Sequence, residues 1–196
     1  ILWYGEPVAY ESSVYYMLNK PAGTVSATED RVHKTVIDLI YEYEESTDNA
    51  HVTVRKDLFP VGRLDIDTEG LLIITNDGDL AHRLLSPKHH VNKMYFARLD
   101  NPVTQEDVEL FANGFKVDEE LTAMPSKLEI LKDNKEAFIT IQEGKFHQVK
   151  RMFAAVGKEV QYLKRISMGP IVLDDSLHVG ECRRLTEEEI NLLKNV

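Results

Sequence analysis

With 196 residues the chain can form one large domain or two closely packed smaller ones around a sizeable core. A 43% hydrophobic content argues against wholesale disorder, and a single cysteine, Cys182, excludes a disulfide framework or a cysteine-based zinc site. The net charge of −10, taken alone, argues against a polyanionic partner.

The distribution of that charge says otherwise. No acidic residue occurs from Leu80 to Leu99, where Arg83, Lys88, Lys93 and Arg98 stand with His82, His89 and His90. From Gly144 to Arg165 there are six Lys or Arg against Glu159 alone, while the acids gather at 29–48 and 100–120. A locally basic face on an acidic body suits phosphate binding, although solvated faces carry charge in the same way. No apolar run approaches the roughly 20 residues of a membrane span and no signal-peptide pattern is visible, so a reducing, cytoplasmic setting is expected.

In chain order, Val14–Leu18 reads as a strand closed by Asn19-Lys20-Pro21-Ala22-Gly23. Thr35 to Glu44 carries a helical stripe at Val36, Ile37, Ile40 and Tyr41, and the acidic stretch to Asn49 reads as a mobile loop. The apolar run from Leu71 to Ile74 predicts a buried strand, preceded by a polar cluster with Arg63, Asp65 and Asp67 and followed by a turn at Asp77-Gly78. Asp79 to Ser86 is a helix stopped by Pro87. Lys93 to Leu99 alternates, with Met94 and Phe96 set against Lys93, Tyr95 and Ala97, as in a half-buried strand. Thr104 caps a short helix, with Asp107 at the capping-box position and Gly114 past its end. Lys127–Leu131 and Ala137–Ile141 pair as strands. Phe146 to Val156 is a helix with Val149, Met152, Phe153 and Val156 inward and Gly157 after it. Val160–Ile166 is a strand, and Thr186 with Glu189 opens a terminal helix through Leu193. The elements lack a βαβ rhythm, so the fold class is α+β with a mixed, largely antiparallel sheet.

Asp65 and Asp67 admit several chemistries. A calcium loop would need an acid where Asn76 stands, and the intervening run is strand. An aspartyl-phosphate phosphatase would place the pair after an apolar strand rather than before it. A lone nucleophilic aspartate with a neighbouring arginine also fits, and so does plain capping of the strand. Tyr95 is either a core aromatic or a stacking platform between Lys93 and Arg98. His147 and Gln148, at a basic helix start, can hold phosphate through free N–H groups or simply cap the surface. His89-His90 lacks partners at ligand spacing, so no metal site is expected.

Gly62-Arg63-Leu64-Asp65 with Thr68 and Gly70-Leu71-Leu72 resembles the signature of RNA pseudouridine synthases of the RsuA/RluA superfamily, in its RsuA-type branch. Further blocks match in order: Asn19 to Gly23, Lys93-Met94-Tyr95, Glu143 to Phe153, Leu163-Lys164-Arg165-Ile166 with Gly169, and Gly180 to Thr186. The resemblance runs from about Tyr15 to Ile190 and implies the pseudouridine synthase fold, with an active-site cleft across the sheet. It implies isomerisation of a specific uridine in ribosomal RNA, the 16S small-subunit RNA in the first place, with base flipping and an aspartate nucleophile. Asp65 falls on the catalytic aspartate, Tyr95 on the tyrosine that stacks on uracil, and Lys150 on the basic residue paired with the aspartate, where many relatives carry arginine. Arg63 falls on the arginine that fills the space of the flipped nucleotide, and Leu163 on an apolar contact to the base. Lys20, His147, Gln148, Arg151 and Arg165 join the expected RNA contacts. Asp65 can attack the ribose C1′ or initiate elimination to a glycal.

The expected partner is ribosomal RNA, with no cofactor, no metal, no membrane and a monomeric state. Residues 1–9 read as a linker or remnant of an upstream S4-like RNA-binding domain, and 10–196 as the catalytic domain. A noncatalytic RNA-binding or ribosome-assembly module of the same fold, and a synthase acting on large-subunit rRNA, are the competing readings.

Overall fold

The computed structural model describes residues 2–3, 6–7, 13–46 and 57–196. Most of the stretch 1–9, expected to be a linker, and the end of the acidic loop after Ser46 lie outside them. The chain runs β1 (Tyr15–Lys20), α1 (Val36–Ser46), β2 (Phe59–Pro60), β3 (Glu69–Thr75), α2 (Gly78–Leu85), β4 (Lys93–Leu99), α3 (Gln105–Asn113), β5 (Lys127–Ile130), β6 (Glu136–Ile141), α4 (Gln148–Ala155), β7 (Val160–Met168), β8 (Ile171–Val172), β9 (Cys182–Arg184) and α5 (Glu187–Lys194). Two-residue hairpins, Leu2–Trp3 with Glu6–Pro7 and Phe115–Lys116 with Thr122–Ala123, stand apart. Among the described residues one mixed sheet runs β9-β1-β3-β7-β4-β6-β5, with β8 on β7 and β2 on β3. Only β3 and β7 pair in parallel, so the expected α+β class with a largely antiparallel sheet is what the chain adopts.

At β1 and β3 the sheet is buried on both faces, which explains why these two strands are apolar on consecutive residues rather than alternate ones. Tyr16, Leu18, Leu72 and Ile74 face a core with α1, which continues through Tyr95, Ala97 and Leu163 to α3 and α4. Tyr15, Met17, Leu71 and Ile73 face a second core closed by α2 and α5. Gly70 permits the parallel pairing: a Cβ there would lie 2.3 Å from the Arg165 carbonyl oxygen, and its φ is +101°.

Reciprocal capping boxes, Thr104 with Asp107 and Thr186 with Glu189, start α3 and α5 as expected. Several boundaries differ from expectation, and three of them bear on the site or its supports. β1 continues through Asn19 and Lys20, because both pair with β3 before Pro21 ends the strand. α1 runs past Glu44 to Ser46. α4 begins at Gln148, two residues late, because His147 takes a left-handed φ of +49° that a helix cannot hold.

The sidedness of β4 is also corrected. Lys93, Tyr95, Ala97 and Leu99 are the buried set, while Met94 and Phe96 are half-buried. Tyr95, Ala97 and Leu99 share a core with α4, whereas Phe96 meets the rings of Phe138 and Tyr162, each 6.0 Å away, and the Arg98 guanidinium. Alternation reveals two faces but not which one a distant helix covers.

Candidate active site

The segment from Arg63 to Thr68 is a loop between β2 and β3, and it is held from below by the end of β1. Lys20 is fully buried, and its Nζ donates to the carbonyls of Thr68 at 2.9 Å, Pro21 at 3.0 Å and Asp65 at 3.1 Å, with Ile66 at 3.5 Å. Burial, the largest influence, pulls this ammonium down to about 8, against the opposing pull of Asp67, Asp65 and Glu69. Two further struts come from the turn after β1. The Gly23 N–H donates to the Ile66 carbonyl at 2.7 Å, and the Ser26 hydroxyl both donates to the Leu64 carbonyl and accepts the Leu64 N–H. The loop that carries Asp65 is therefore fixed from three points on one neighbouring segment, as a positioned reactive group requires.

Lys150, on the first turn of α4, reaches over this loop. Its Nζ lies 3.3 Å from Asp65 Oδ2 and 2.6 Å from Asp67 Oδ1. The two aspartates are unequal: the Asp65 side chain is 25% exposed and Asp67 67% exposed. The hydrogen bond from Lys150 holds the Asp67 carboxyl below its usual range. His147 Nε2 lies 3.6 Å from Asp65 Oδ1 on the other side. A non-glycine residue in the left-handed region costs on the order of 1 kcal/mol, and such residues collect at functional sites. Here the strain turns the imidazole toward Asp65 instead of starting the helix one residue earlier.

Asp65, Lys150 and His147 line a narrow pocket of about 50 Å³ together with Arg63, Tyr95 and Leu163. Tyr95 and Leu163 are buried and form its apolar lining. Arg63 is exposed and forms no hydrogen bond or ion pair among the described residues. A wider cleft of about 590 Å³ adjoins the pocket, shares Arg63, Asp65, Lys145 and His147 with it and is lined also by Lys93. A carboxylate beside a cation, an aromatic lining and an uncommitted guanidinium are the groups that receiving an extruded base beside a nucleophile would require.

Four of the expected RNA contacts are committed elsewhere, which corrects their assignment. Lys20 clamps the loop backbone. Gln148 is buried: its side-chain oxygen accepts the Lys145 N–H, and its amide donates to Glu143 at 2.9 Å, so it braces the turn before α4. Its own N–H goes to the Lys145 carbonyl rather than to a phosphate. Arg151 makes two hydrogen bonds to Asp118, at 2.8 and 2.7 Å, and holds that carboxyl down to about 2. Arg165 is buried between β3 and β7, where its Nε donates to the Leu71 carbonyl at 2.7 Å.

Sequence reasoning missed the struts at Gly23 and Ser26, which no spacing rule reveals because their partners lie about forty residues away. It also missed Lys93 as a buried residue of the cleft. Its Nζ donates to the carbonyls of Val91 and Gln142, and burial first, then the neighbouring Arg165, pulls it down to about 8.

Residues 14–155 match the RNA pseudouridylate synthase family. A Bacillus subtilis protein named uncharacterized RNA pseudouridine synthase YtzG is 49% identical over 97% of this chain and 77% of its own length. The ribosomal small subunit pseudouridine synthase A of Escherichia coli (strain K12) is 44% identical over 95% of this chain and 77% of its own. A crystal structure of a pseudouridylate synthase superposes with a TM-score of 0.81 at 40% identity, over 94% of this chain and 75% of that one. At 18% identity and a TM-score of 0.55, the archaeal box H/ACA sRNP Nop10-Cbf5 complex shares the fold.

Proposed function

The chain belongs to the RNA pseudouridylate synthase family, and we propose that it converts one uridine of small-subunit ribosomal RNA to pseudouridine with Asp65 as the nucleophile. The observation that carries this reading is Asp65 on a three-point-braced loop, with Lys150 at 3.3 Å and the Tyr95 and Leu163 side chains beside it in one pocket. The small-subunit target rests on the name of the Escherichia coli relative.

The reaction is an isomerisation and needs no co-reactant. The bond from uracil N1 to ribose C1′ breaks, a bond from C5 to C1′ forms, the proton on C5 leaves, and N1 ends protonated. The target must first leave the helix stack, at a cost of a few kcal/mol. Arg63 takes the vacated space, and the uracil enters between Tyr95 and Leu163. The Lys150 ammonium, 3.3 Å away, keeps the Asp65 carboxylate oriented without a covalent role of its own. Asp67 draws part of that ammonium's charge toward solvent.

The test is Asp65→Ala on unmodified small-subunit rRNA, supplied free and assembled with small-subunit proteins, with large-subunit rRNA as the control. Pseudouridine is scored by carbodiimide labelling and primer-extension stops. One small-subunit stop is expected with the unaltered protein and none with the variant, while RNA binding stays near normal. Unchanged turnover in Asp65→Ala would remove the assignment of the nucleophile. A stop only in large-subunit rRNA would replace the substrate.

A further inference from the structure

Large apolar side chains left exposed are usually scattered, and singly they mean little. Here four of them converge. Ile66, Leu85, Met124 and Phe146, each at least 38% exposed, line the wider cleft beside the uridine pocket. Phe146 is the most exposed of the four at 69%, yet its ring is not free to wander. It stacks on the His147 imidazole with centroids 3.8 Å apart and planes 15° from parallel. His147 in turn is fixed by its left-handed backbone and lies 3.6 Å from Asp65. Carboxylate, imidazole and phenyl ring thus form a chain of contacts that leads outward from the reacting centre, and Phe146 remains largely exposed at its end.

A flat aromatic face with apolar walls suits a nucleobase, since every base has a π-face to offer. The charges around it select the rest of the ligand. Arg63, Lys93 and Lys145 line the cleft. Its acids are already engaged, Asp65 with Lys150 and Glu143 with Lys145 and Gln148. With Lys145 paired to Glu143, Arg63 and Lys93 are the cations left beside an apolar wall, which fits a nucleotide with its phosphate. A volume of about 590 Å³ gives it room well beyond that of the narrow pocket. The two spaces adjoin, with Arg63, Asp65 and His147 among the residues that line both. A chain with one nucleotide in the narrow pocket leads its neighbour into the cleft.

We infer that the cleft receives the base of a nucleotide adjoining the target uridine, unstacked from its own neighbour and laid on Phe146, with Arg63 and Lys93 toward its phosphate. Phe146 is then a specificity-determining residue, and the substrate class narrows to a uridine in a segment where an adjacent nucleotide can also leave its stack. This rests on the synthase reading given above.

The experiment compares the unaltered protein, Phe146→Ala and Phe146→Trp on the RNA that is modified, and on versions with an abasic ribose at each position flanking the target. Phe146→Ala is expected to lower kcat/KM roughly 5- to 100-fold, mainly through KM, as lost base stacking does. Phe146→Trp should restore it. At one flanking position the abasic substitution should cost the unaltered protein about as much, and the two losses should not add. An active protein whose Phe146→Ala variant matches it within about twofold overturns the inference alone, as do losses that add in full or a loss confined to kcat. An unaltered protein that forms no pseudouridine overturns the synthase reading and this inference with it. The abasic substrates test the unaltered protein directly, so the result stands even where a variant folds poorly.

Discussion

Replacing Lys20 with methionine separates two roles that its charge alone leaves confounded. A lysine that touches RNA and a lysine that clamps the catalytic loop both lower activity when removed, but by different routes. In the structure Nζ serves the carbonyls of Pro21, Asp65, Ile66 and Thr68 from a fully buried position. Three of those carbonyls keep another donor after the change: Thr24 Oγ1 for Pro21, the Thr68 N–H for Asp65 and the Gly23 N–H for Ile66. The Thr68 carbonyl loses a charged donor at 2.9 Å. Bonds to charged groups contribute about 1.5–3 kcal/mol each, and an orphaned buried acceptor costs about 1–3 kcal/mol. Partial compensation at three carbonyls and relief from burying a charge offset part of this, so a net loss of about 2–4 kcal/mol is expected in urea unfolding at pH 7. Loosening the loop misplaces Asp65, and a displacement near 1 Å costs about 100-fold in kcat.

The pH dependence gives an independent sign. Burial lowers the Lys20 ammonium to about 8 in the folded chain, so between pH 8 and the ordinary lysine range the unfolded chain binds more protons. The stability from this group is fully present above the unfolded pKa and is lost as pH falls through about 8. Lys93, also near 8, acts in the same direction. Burial raises the Cys182 thiol from 9 to about 12 and opposes this above pH 9, so the two lysines should make the folded chain gain stability as pH rises between about 8 and 9, and Lys20→Met should remove roughly half of that gain. A variant with unchanged stability and kcat, weaker RNA binding, and a salt slope smaller by about one would mean that Lys20 contacts phosphate, which would refute the clamp.

Asp67→Asn is expected to cost less than about 1 kcal/mol in stability, because its ion pair is largely exposed, and to leave turnover within about tenfold. Asp65→Asn should abolish pseudouridine formation. Equal losses in single-turnover assays of the two variants would show that the aspartates act as a pair. Lys158→Met removes the partner of Asp107 from an ion pair of 2.8 Å in which both side chains are 9% exposed. It should destabilise the chain by about 3–5 kcal/mol in urea without changing KM for RNA.

Local rules carried much of the fold. The boxes at Thr104 and Thr186 and the turn at Asp77-Gly78 are decided within a few residues, and all are found where the sequence places them. The order of motifs placed Asp65, Tyr95 and Lys150, and all three line one pocket. What failed was non-local. Cys182-Arg183-Arg184 has no strand pattern and becomes β9 because β1 offers it an edge. Lys20, Gln148 and Arg165 are polar by type and buried by topology, each with partners supplied by other segments or by the turn before α4. Lys93 and Tyr95 occupy the inner side of β4 because α4 covers it, a fact written more than fifty residues further along the chain.

That sorting of cations bears on how a chain of net charge −10 presents a site to RNA. Several basic residues are cancelled, among them Arg98 by Glu136, Arg151 by Asp118 and Lys127 by Glu129, while exposed Arg63 at the cleft has no acidic partner among the described residues. Two of the buried cations are left uncancelled as well. Lys93 and Arg165 donate to backbone carbonyls, which satisfies their hydrogen bonds without neutralising their charge. Neither has an acidic partner among the described residues, and Nη2 of Arg165 has no partner there at all. Charges in a medium of low dielectric, opening on a cleft, focus field lines into it and escape much of the screening that salt imposes at the surface. Lys93 lines the cleft, so this field acts where the RNA backbone would enter. The acidic remainder of the surface then disfavours binding elsewhere. Attraction at the site and repulsion around it come from the same placement of charge, with Arg63 and Lys93 at the cleft left without an acidic partner among the described residues.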